Sequence, residues 1–142
     1  MDGEMFTVIR LDGTTGARIW AYHTAGTAGG GFARQLQLSA QGMLLAGGAT
    51  RDVRSCGNAL VVALDPLTGA QVWSRTFDGT LVAKTCHVDA EAEGPGPPID
   101  DDEFGAMAID AEGRLLVGLA LVNRTATGVH TMGSIRRVTV RR

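Results

Sequence analysis

A segment of eleven residues occurs twice in this chain, with the two copies 53 positions apart. "RLDGTTGARIW" covers residues 10–20 and "ALDPLTGAQVW" covers residues 63–73. Both copies place Leu-Asp, Thr-Gly, Ala and Trp at the same spacing. An internal repeat of this period indicates a protein assembled from similar structural units that pack against one another.

Each copy has the pattern of a β-hairpin. A β-branched and apolar run is followed by a short polar turn with a glycine, and then by a second β-rich run. The aspartate that ends the first run, Asp12 or Asp65, can accept hydrogen bonds from N–H groups of the turn. Gly16 and Gly69 can adopt a positive φ without the steric cost of a Cβ.

A second unit is repeated at an offset of 71 positions. "LQLSAQGMLLAG" at 36–47 matches "MAIDAEGRLLVG" at 107–118, and both have two β-rich runs around a Ser/Asp-x-x-Gly turn. The chain thus contains four hairpins in a row, followed by "IRRVTVRR" at 135–142, which we expect to start a further unit. No segment has a helical periodicity. The run "LVVAL" at 60–64 lacks strand alternation, which indicates a strand covered on both faces.

This organisation predicts an all-β fold of four-stranded antiparallel sheets that form the blades of an incomplete β-propeller. The boundaries are a blade remnant at 1–23, a blade at 33–78, a surface loop insertion at 79–103 and the start of a blade at 104–142. The insertion is assigned because "DAEAEGPGPPIDDDE" at 89–103 is polar, acidic and rich in Pro and Gly.

The later copy resembles the tryptophan-docking motif of the PQQ-like (quinoprotein alcohol dehydrogenase-like) β-propeller repeat. In that motif Ala is first, Asp third, Thr-Gly sixth and seventh, and Trp eleventh. The matching residues are Ala63, Asp65, Thr68, Gly69 and Trp73, and the earlier copy keeps Asp12, Thr15, Gly16 and Trp20, with Arg10 in place of Ala. The resemblance implies that each Trp packs against the adjacent blade and that the Thr-Gly turn receives the Trp of its neighbour.

The resemblance also bears on function. Dehydrogenases of this superfold hold a quinone and a calcium ion in the central channel, and many stack the quinone between a Trp and a disulfide of adjacent cysteines. This chain has no adjacent cysteines, and the resemblance assigns both tryptophans to docking. We therefore expect no catalytic, cofactor-binding or metal-binding residues, and a non-enzymatic scaffold or binding segment of a secreted or cell-surface bacterial protein. The first alternative is a fragment of a quinoprotein-like oxidoreductase whose catalytic blades lie outside this chain, and the second is an intracellular interaction propeller.

Other candidates for chemistry are weak. The histidines at 23, 87 and 130 are isolated and lack metal-ligand spacing. The run Asp100-Asp101-Asp102-Glu103 offers oxygens of the kind that Ca²⁺ prefers, but not in the alternating pattern of a calcium loop, so we expect a solvated acidic loop. The glycine-rich "AGTAGGGF" at 25–32 precedes no helix that would bind an anion, so we expect a flexible turn.

The two cysteines leave two possibilities open. Cys56 lies just before the hairpin that contains the later motif copy, and Cys86 lies a few residues beyond it. A Cys56–Cys86 disulfide is therefore within reach and would suit an oxidising compartment. Two free thiols fit the same spacing.

Charge and hydropathy restrict the partners. The net charge of −2, without a basic patch that includes aromatics, argues against nucleic acid. The longest apolar run, at 115–122, is far shorter than the roughly 20 residues of a membrane span.

Twelve Arg against one Lys is typical of a GC-rich bacterial genome. The expected partners are the remaining propeller blades or another protein, with self-association through open sheet edges.

The expected location is extracellular, periplasmic or at the cell surface. The sequence begins with "MDGEMFTVIR", which lacks the basic start and apolar core of a signal peptide. Either the protein is not exported, or this chain is a piece of a longer precursor.

Overall fold

The structure, a computed structural model, describes residues 5–27, 29–52, 56–78, 102–125 and 128–138. In this part of the chain it contains nine β-strands and no helix, so the all-β prediction is confirmed. The strands are β1 (Phe6–Leu11), β2 (Arg18–Thr24), β3 (Gly30–Leu38), β4 (Leu44–Asp52), β5 (Cys56–Leu64), β6 (Gln71–Phe77), β7 (Glu103–Ile109), β8 (Leu115–Thr125) and β9 (Gly128–Val138). Within the same residues, no helix has the length and apolar character needed to cross a membrane.

The strands form three antiparallel sheets. The first sheet is β1-β2, the second is β3-β4-β5-β6 and the third is β7-β8-β9. Neighbours in sequence are neighbours in each sheet, because short turns join consecutive strands. The repeats extend to irregularities of the backbone: the register shifts between Ala33 and Gln35 in β3 and between Phe104 and Ala106 in β7, which are equivalent positions.

The Ser/Asp-x-x-Gly turns of the second repeated unit are closed by their first residue. Ser39 Oγ accepts a hydrogen bond from the N–H of Met43 at 3.0 Å. Asp110 Oδ1 accepts one from the N–H of Arg114 at 2.8 Å, and its Oδ2 accepts a second from Arg114 Nε at 2.6 Å. A side-chain acceptor at the first position thus defines both turns.

The second sheet lies between the other two, and its inner strands β4 and β5 are buried on both faces. β1 packs against β3 and β4, while β7 packs against β3, β4 and β5. The buried residues between the first and second sheets are Phe6, Val8, Ala46, Leu60, Val62 and Leu64. Those between the second and third sheets are Met43, Leu45, Ala59, Val61, Ala63, Phe104, Met107, Leu115, Val117, Leu119, Leu121 and Val138. Successive residues of β5 enter opposite clusters, which explains the continuous apolar run "LVVAL".

Glycines in the second sheet make room for a phenyl ring from each neighbouring sheet. A Cβ at Gly47 would overlap the Phe104 ring, and a Cβ at Gly48 would overlap the carbonyl oxygen of Phe32 in β3 and lie 2.9 Å from Phe6 Cε2. A Cβ at Gly31 would lie 3.0 Å from the backbone nitrogen of Phe6. The expectation of a flexible turn at 25–32 is therefore wrong from Gly30 onwards, because Gly30 and Gly31 belong to β3 and Gly31 allows β1 to approach closely.

The final strand is longer than expected. It begins at Gly128 rather than at residue 135, and as β9 it pairs with β8 from Leu115↔Val138 to Thr125↔Gly128, as β5 pairs with β4. Two residues separate the strands, which is the length of a tight hairpin connection. Val138 is buried among the residues that face the second sheet, so the pairing also extends the core.

The side chain of Gln35 links the second and third sheets, because its amide forms the pair of hydrogen bonds that a neighbouring strand would form. Gln35 Nε2 donates to the carbonyl oxygen of Met107 at 2.8 Å, and the N–H of Met107 donates to Gln35 Oε1 at 2.8 Å. Nearby, Arg34 Nη1 donates to the carbonyl oxygen of Phe104 at 3.1 Å. The Gln35 amide thus acts as a strand partner for β7 at a point where β3 and β7 belong to different sheets.

We expect Gln35→Leu to destabilise the protein by about 1–3 kcal/mol, because it leaves the N–H and carbonyl of buried Met107 without these partners. Gln37→Leu is the matched control, since it lies on the same strand and no hydrogen bond of its side chain is described. Urea unfolding measures both variants. Equal losses of stability would contradict a role for the Gln35–Met107 pair.

Candidate functional site

The turn between β5 and β6 is closed by Asp65. Its Oδ1 accepts hydrogen bonds from the N–H groups of Leu67 at 2.8 Å and Thr68 at 3.0 Å. The backbone of Asp65 adds two more, donating to the carbonyl of Ala70 and accepting from the N–H of Gly69, both at 2.8 Å. Gly69 has a φ of 74°, in the left-handed region that side chains with a Cβ rarely adopt. The sequence Asp-x-x-Thr-Gly therefore determines this turn by local contacts.

The turn between β1 and β2 repeats this geometry. Asp12 Oδ1 accepts from the N–H groups of Thr14 at 3.0 Å and Thr15 at 2.7 Å, and from the Thr15 hydroxyl at 2.9 Å. Gly16 has a φ of 72°. The predicted repeat of Asp, Thr and Gly thus corresponds to two turns of the same backbone form.

Trp20 of the first sheet lies on the turn of the second sheet. A Cβ at Gly69 would lie 2.7 Å from both Cδ2 and Cε3 of Trp20, so only glycine leaves room for the indole ring. The indole Nε1–H donates to the carbonyl oxygen of Pro66 at 3.1 Å. The structure therefore brings one tryptophan and one Thr-Gly turn of the repeated motif into direct contact. We call this contact the docking site.

Two further side chains of the first sheet bind at or beside the docking site. Arg10 Nη1 donates to the Pro66 carbonyl oxygen at 2.7 Å, so this carbonyl accepts from both Arg10 and Trp20. The Tyr22 hydroxyl donates to Gln71 Oε1. The Tyr22 hydroxyl is protonated and able to donate at neutral pH even at its ordinary pKa of 10.0, and burial raises that pKa further.

The second tryptophan has different surroundings. Trp73 is half-buried and packs against the cluster between the second and third sheets. Its partner across the hairpin, Ala63, is fully buried in that cluster. The turn at Thr15 and Gly16 is exposed, and a Cβ at Gly16 would have no atom within 4 Å. Of the two predicted pairings of Trp with a Thr-Gly turn, the described residues thus contain the one between Trp20 and Gly69.

A polar cluster lies where β4 ends and β5 begins. Asp52 accepts hydrogen bonds from the N–H and hydroxyl of Thr27, at 2.7 and 2.8 Å, and from Asn58 Nδ2 at 2.9 Å. Burial alone would raise the pKa of Asp52, but these three hydrogen bonds outweigh it and lower the pKa. The carboxylate therefore joins the segment before β3 to the start of β5.

The expected solvated acidic loop is wrong at Asp102. This residue is completely buried, and its N–H donates to the carbonyl of Gly57 at 2.8 Å. Because Glu103 begins β7, this hydrogen bond of Asp102 holds the start of the third sheet against β5. The run of four acidic residues did not predict this hydrogen bond, because its acceptor, Gly57, is distant in the sequence.

Several candidate residues lie outside the described part of the chain. Cys86 and the side chain of Cys56 are among them, so the disulfide stays a prediction. The side chains of His87 and His130 are also outside it, while His23 Nδ1 lies 3.0 Å from Thr7 Oγ1. Among the described residues, no group of three His, Cys, Asp or Glu side chains is placed to hold a metal ion.

Sequence reasoning missed the roles of Arg10 and Gln35. In the sequence, Arg10 differs from other motif positions only in replacing the Ala of the motif. The structure explains this difference, because the Arg10 guanidinium donates to the Pro66 carbonyl, whereas the equivalent Ala63 is fully buried in the core. Gln35 occurs in a polar-looking strand with no distinguishing neighbour. Both make contacts between sheets, which are distant in sequence.

No protein-family model, curated protein or solved structure matches this chain. The docking site is therefore characterised by its own geometry.

Two glycine substitutions separate backbone strain from the docking contact. Gly16→Ala places a Cβ in open space at positive φ, and we expect it to cost about 1–2 kcal/mol. Gly69→Ala has the same strain and also a Cβ against the Trp20 ring, which should add about 1–3 kcal/mol. Chemical unfolding of both variants provides the comparison.

A double-mutant cycle then assigns the difference to Trp20. Trp20→Ala alone should cost about 3 kcal/mol, at the lower end for Trp→Ala because the ring is half-buried. In the Trp20→Ala background, Gly69→Ala should cost no more than Gly16→Ala, because the ring that it meets is gone. A full Gly69→Ala penalty in that background would show that the two residues are not coupled.

The lowered pKa values of the two turn aspartates predict that the folded protein loses stability in acid. The N–H and hydroxyl of Thr15, followed by the N–H of Thr14, lower the pKa of Asp12 from its usual 3.8. The N–H groups of Thr68 and Leu67 do the same for Asp65. Because both pKa values are lower in the folded state, this stabilisation is complete above pH 3.8 and is lost as the pH falls through the folded pKa values.

We therefore expect the Asp12→Asn, Asp65→Asn double variant to lose less stability than the wild type when the pH is lowered through 3.8. Asparagine keeps the Oδ1 acceptor and removes the titrating charge. The Asp12→Ala, Asp65→Ala variant is the control, because it lacks the acceptor and should be less stable at every pH. Identical pH profiles for wild type and the asparagine variant, from thermal melts, would contradict the assignment.

Proposed function

We propose that this chain is a segment of a β-propeller of the PQQ-like type, in which the three sheets are consecutive blades. The contact between Trp20 and Gly69 carries this proposal, because it joins the tryptophan of one repeat to the Thr-Gly turn of the next. The four strands of the second sheet pair in sequence order, as the strands of a blade do.

The orientation of the sheets supports the same proposal. Phe6 and Val8 of the first sheet face the second sheet, and their repeat equivalents Ala59 and Val61 face the third sheet. Each sheet therefore presents the same side to its successor. Blades that follow one another around an axis pack in this way, whereas sheets related by a two-fold axis present the same side to each other.

In this proposal the protein is a non-enzymatic scaffold or binding segment of a secreted or cell-surface bacterial protein. The polar groups of the docking site support a structural role, because they are used within the protein. The Trp20 indole N–H is bound to Pro66 and its ring lies on Gly69. Trp73 packs against the cluster between the second and third sheets. Stacking a flat cofactor on either ring would require the loss of these contacts.

An edge strand offers a surface for the binding role. On β3 the side chains of Leu36 and Leu38 are exposed although apolar, and both lie on the side of the first sheet, because they pair with Ala46 and Leu44. Phe32 is also exposed, but it pairs with Ala49 on the opposite face, where the Arg34 guanidinium lies 5.3 Å from the centroid of its ring and donates to the Phe104 carbonyl oxygen. Neighbouring exposed apolar side chains such as Leu36 and Leu38 mark interaction surfaces.

Titration with pyrroloquinoline quinone and Ca²⁺ distinguishes the scaffold from an oxidoreductase fragment. We expect calorimetry to detect no stoichiometric complex, because both tryptophans are engaged in packing. A titration with Ca²⁺ alone is the control for cation binding without quinone. A stoichiometric quinone complex that requires Ca²⁺ would contradict the scaffold and favour the quinoprotein-like fragment.

A further inference from the structure

The first and third sheets each have one apolar face that the described residues do not cover. On the first sheet this open face includes Ile9, Leu11 and Ile19, which are 48%, 56% and 49% exposed. On the third sheet it includes Leu116, Gly118 and Ile135, of which Ile135 is 79% exposed, and the exposed Arg137 lies beside Leu116 on the same face. Apolar side chains gathered on one face of a sheet mark an interaction surface.

The open face of the first sheet has a covered equivalent inside the protein. Ile9 and Leu11 correspond, at the offset of 53 positions, to Val62 and Leu64 of the second sheet. Val62 and Leu64 are 0% exposed, because the first sheet packs on them. The open face of the first sheet therefore has the pattern of a face that receives a preceding sheet.

The open face of the third sheet also has a covered equivalent. Gly118 corresponds to Gly47 at the offset of 71 positions, and their partners across the hairpin are Ile135 and Val61. Val61 is fully buried under the third sheet. At Gly118 a Cβ would have no atom nearer than the Ala106 carbonyl oxygen, at 3.6 Å. This face therefore has the pattern of one that receives a following sheet.

We propose that a second copy of this chain covers these faces, with the third sheet of one copy packed on the first sheet of the next. The contacts between the first, second and third sheets show that this chain packs such a face with one of its own sheets. The two open faces are different surfaces, so the contact is head-to-tail rather than symmetric. The inference rests on the proposed stacking of blades and adds the partner and the faces that meet.

A complementation experiment tests this arrangement. Ile9→Lys blocks the open face of the first sheet, and Ile135→Lys blocks that of the third sheet; both side chains are exposed, so the fold should tolerate the change. Leu67→Lys is the matched control, because Leu67 is 72% exposed on the β5–β6 turn, away from both open faces. Light scattering coupled to size exclusion measures the mass of each variant alone and of the two blocked variants mixed.

In a head-to-tail assembly, wild type and Leu67→Lys should exceed the 14.8 kDa of one chain as the concentration rises. Each blocked variant alone should remain at 14.8 kDa, because it retains one half of the contact. The mixture should give a dimer of twice that mass, since one variant supplies an intact third sheet and the other an intact first sheet. Circular dichroism confirms folding, and the pair Leu11→Lys with Leu116→Lys repeats the test at neighbouring positions.

Three results would overturn the inference. One is a wild-type monomer at every concentration, which would leave these faces to a different protein or to another part of a longer polypeptide. Another is self-association of either blocked variant alone, which would indicate a symmetric contact. The third is a mixture of folded blocked variants that stays monomeric. If the double-mutant cycle still shows that Trp20 and Gly69 are coupled, these results contradict the head-to-tail assembly alone. If the cycle shows no coupling, the proposed stacking of blades is contradicted as well.

Discussion

The removal of both faces of β4 and β5 from water is the constraint on which the rest of this structure depends. A strand covered on two sides needs apolar residues at every position, and β5 supplies them from Ala59 to Leu64. Close packing on both sides also demands space, so β4 carries Gly47 and Gly48, each opposite a phenyl ring from a different neighbouring sheet. Burial of this kind is the main favourable term in folding, and the turns and polar contacts serve to align the sheets that provide it.

The polar contacts between sheets determine how the sheets are aligned rather than how strongly they pack. Pro66 offers one carbonyl to two donors from the first sheet, and Gln35 satisfies both backbone groups of Met107 in the third sheet. Each of these bonds has a defined direction, whereas apolar faces can slide. A hydrogen bond left unmade at such a boundary costs more than its net gain when made, which penalises a shifted register between sheets.

The features that could be predicted from the sequence are those determined by neighbours in the chain. Turns at Asp12 and Asp65 follow from an acceptor, a threonine and a glycine within five residues, and the antiparallel strands follow from β-rich runs on either side. The roles of Arg10, Gln35 and Asp102 could not be predicted, because their partners lie in other strands or sheets. The early start of the last strand at Gly128 could not be predicted either, since the pairing of β9 with β8 depends on a strand edge rather than on a local motif.

The docking site also affects how such a chain can change during evolution. Trp20 and Gly69 belong to different repeats, so each unit contributes one half of a contact on either side. Duplication of a whole unit can reproduce the contact between Trp20 and Gly69 at a new boundary, because both copies of the motif carry the same Asp, Thr, Gly and Trp positions. A substitution within one unit has no such protection and breaks a contact at a single boundary. Variation in the number of units is therefore easier to tolerate than variation within one.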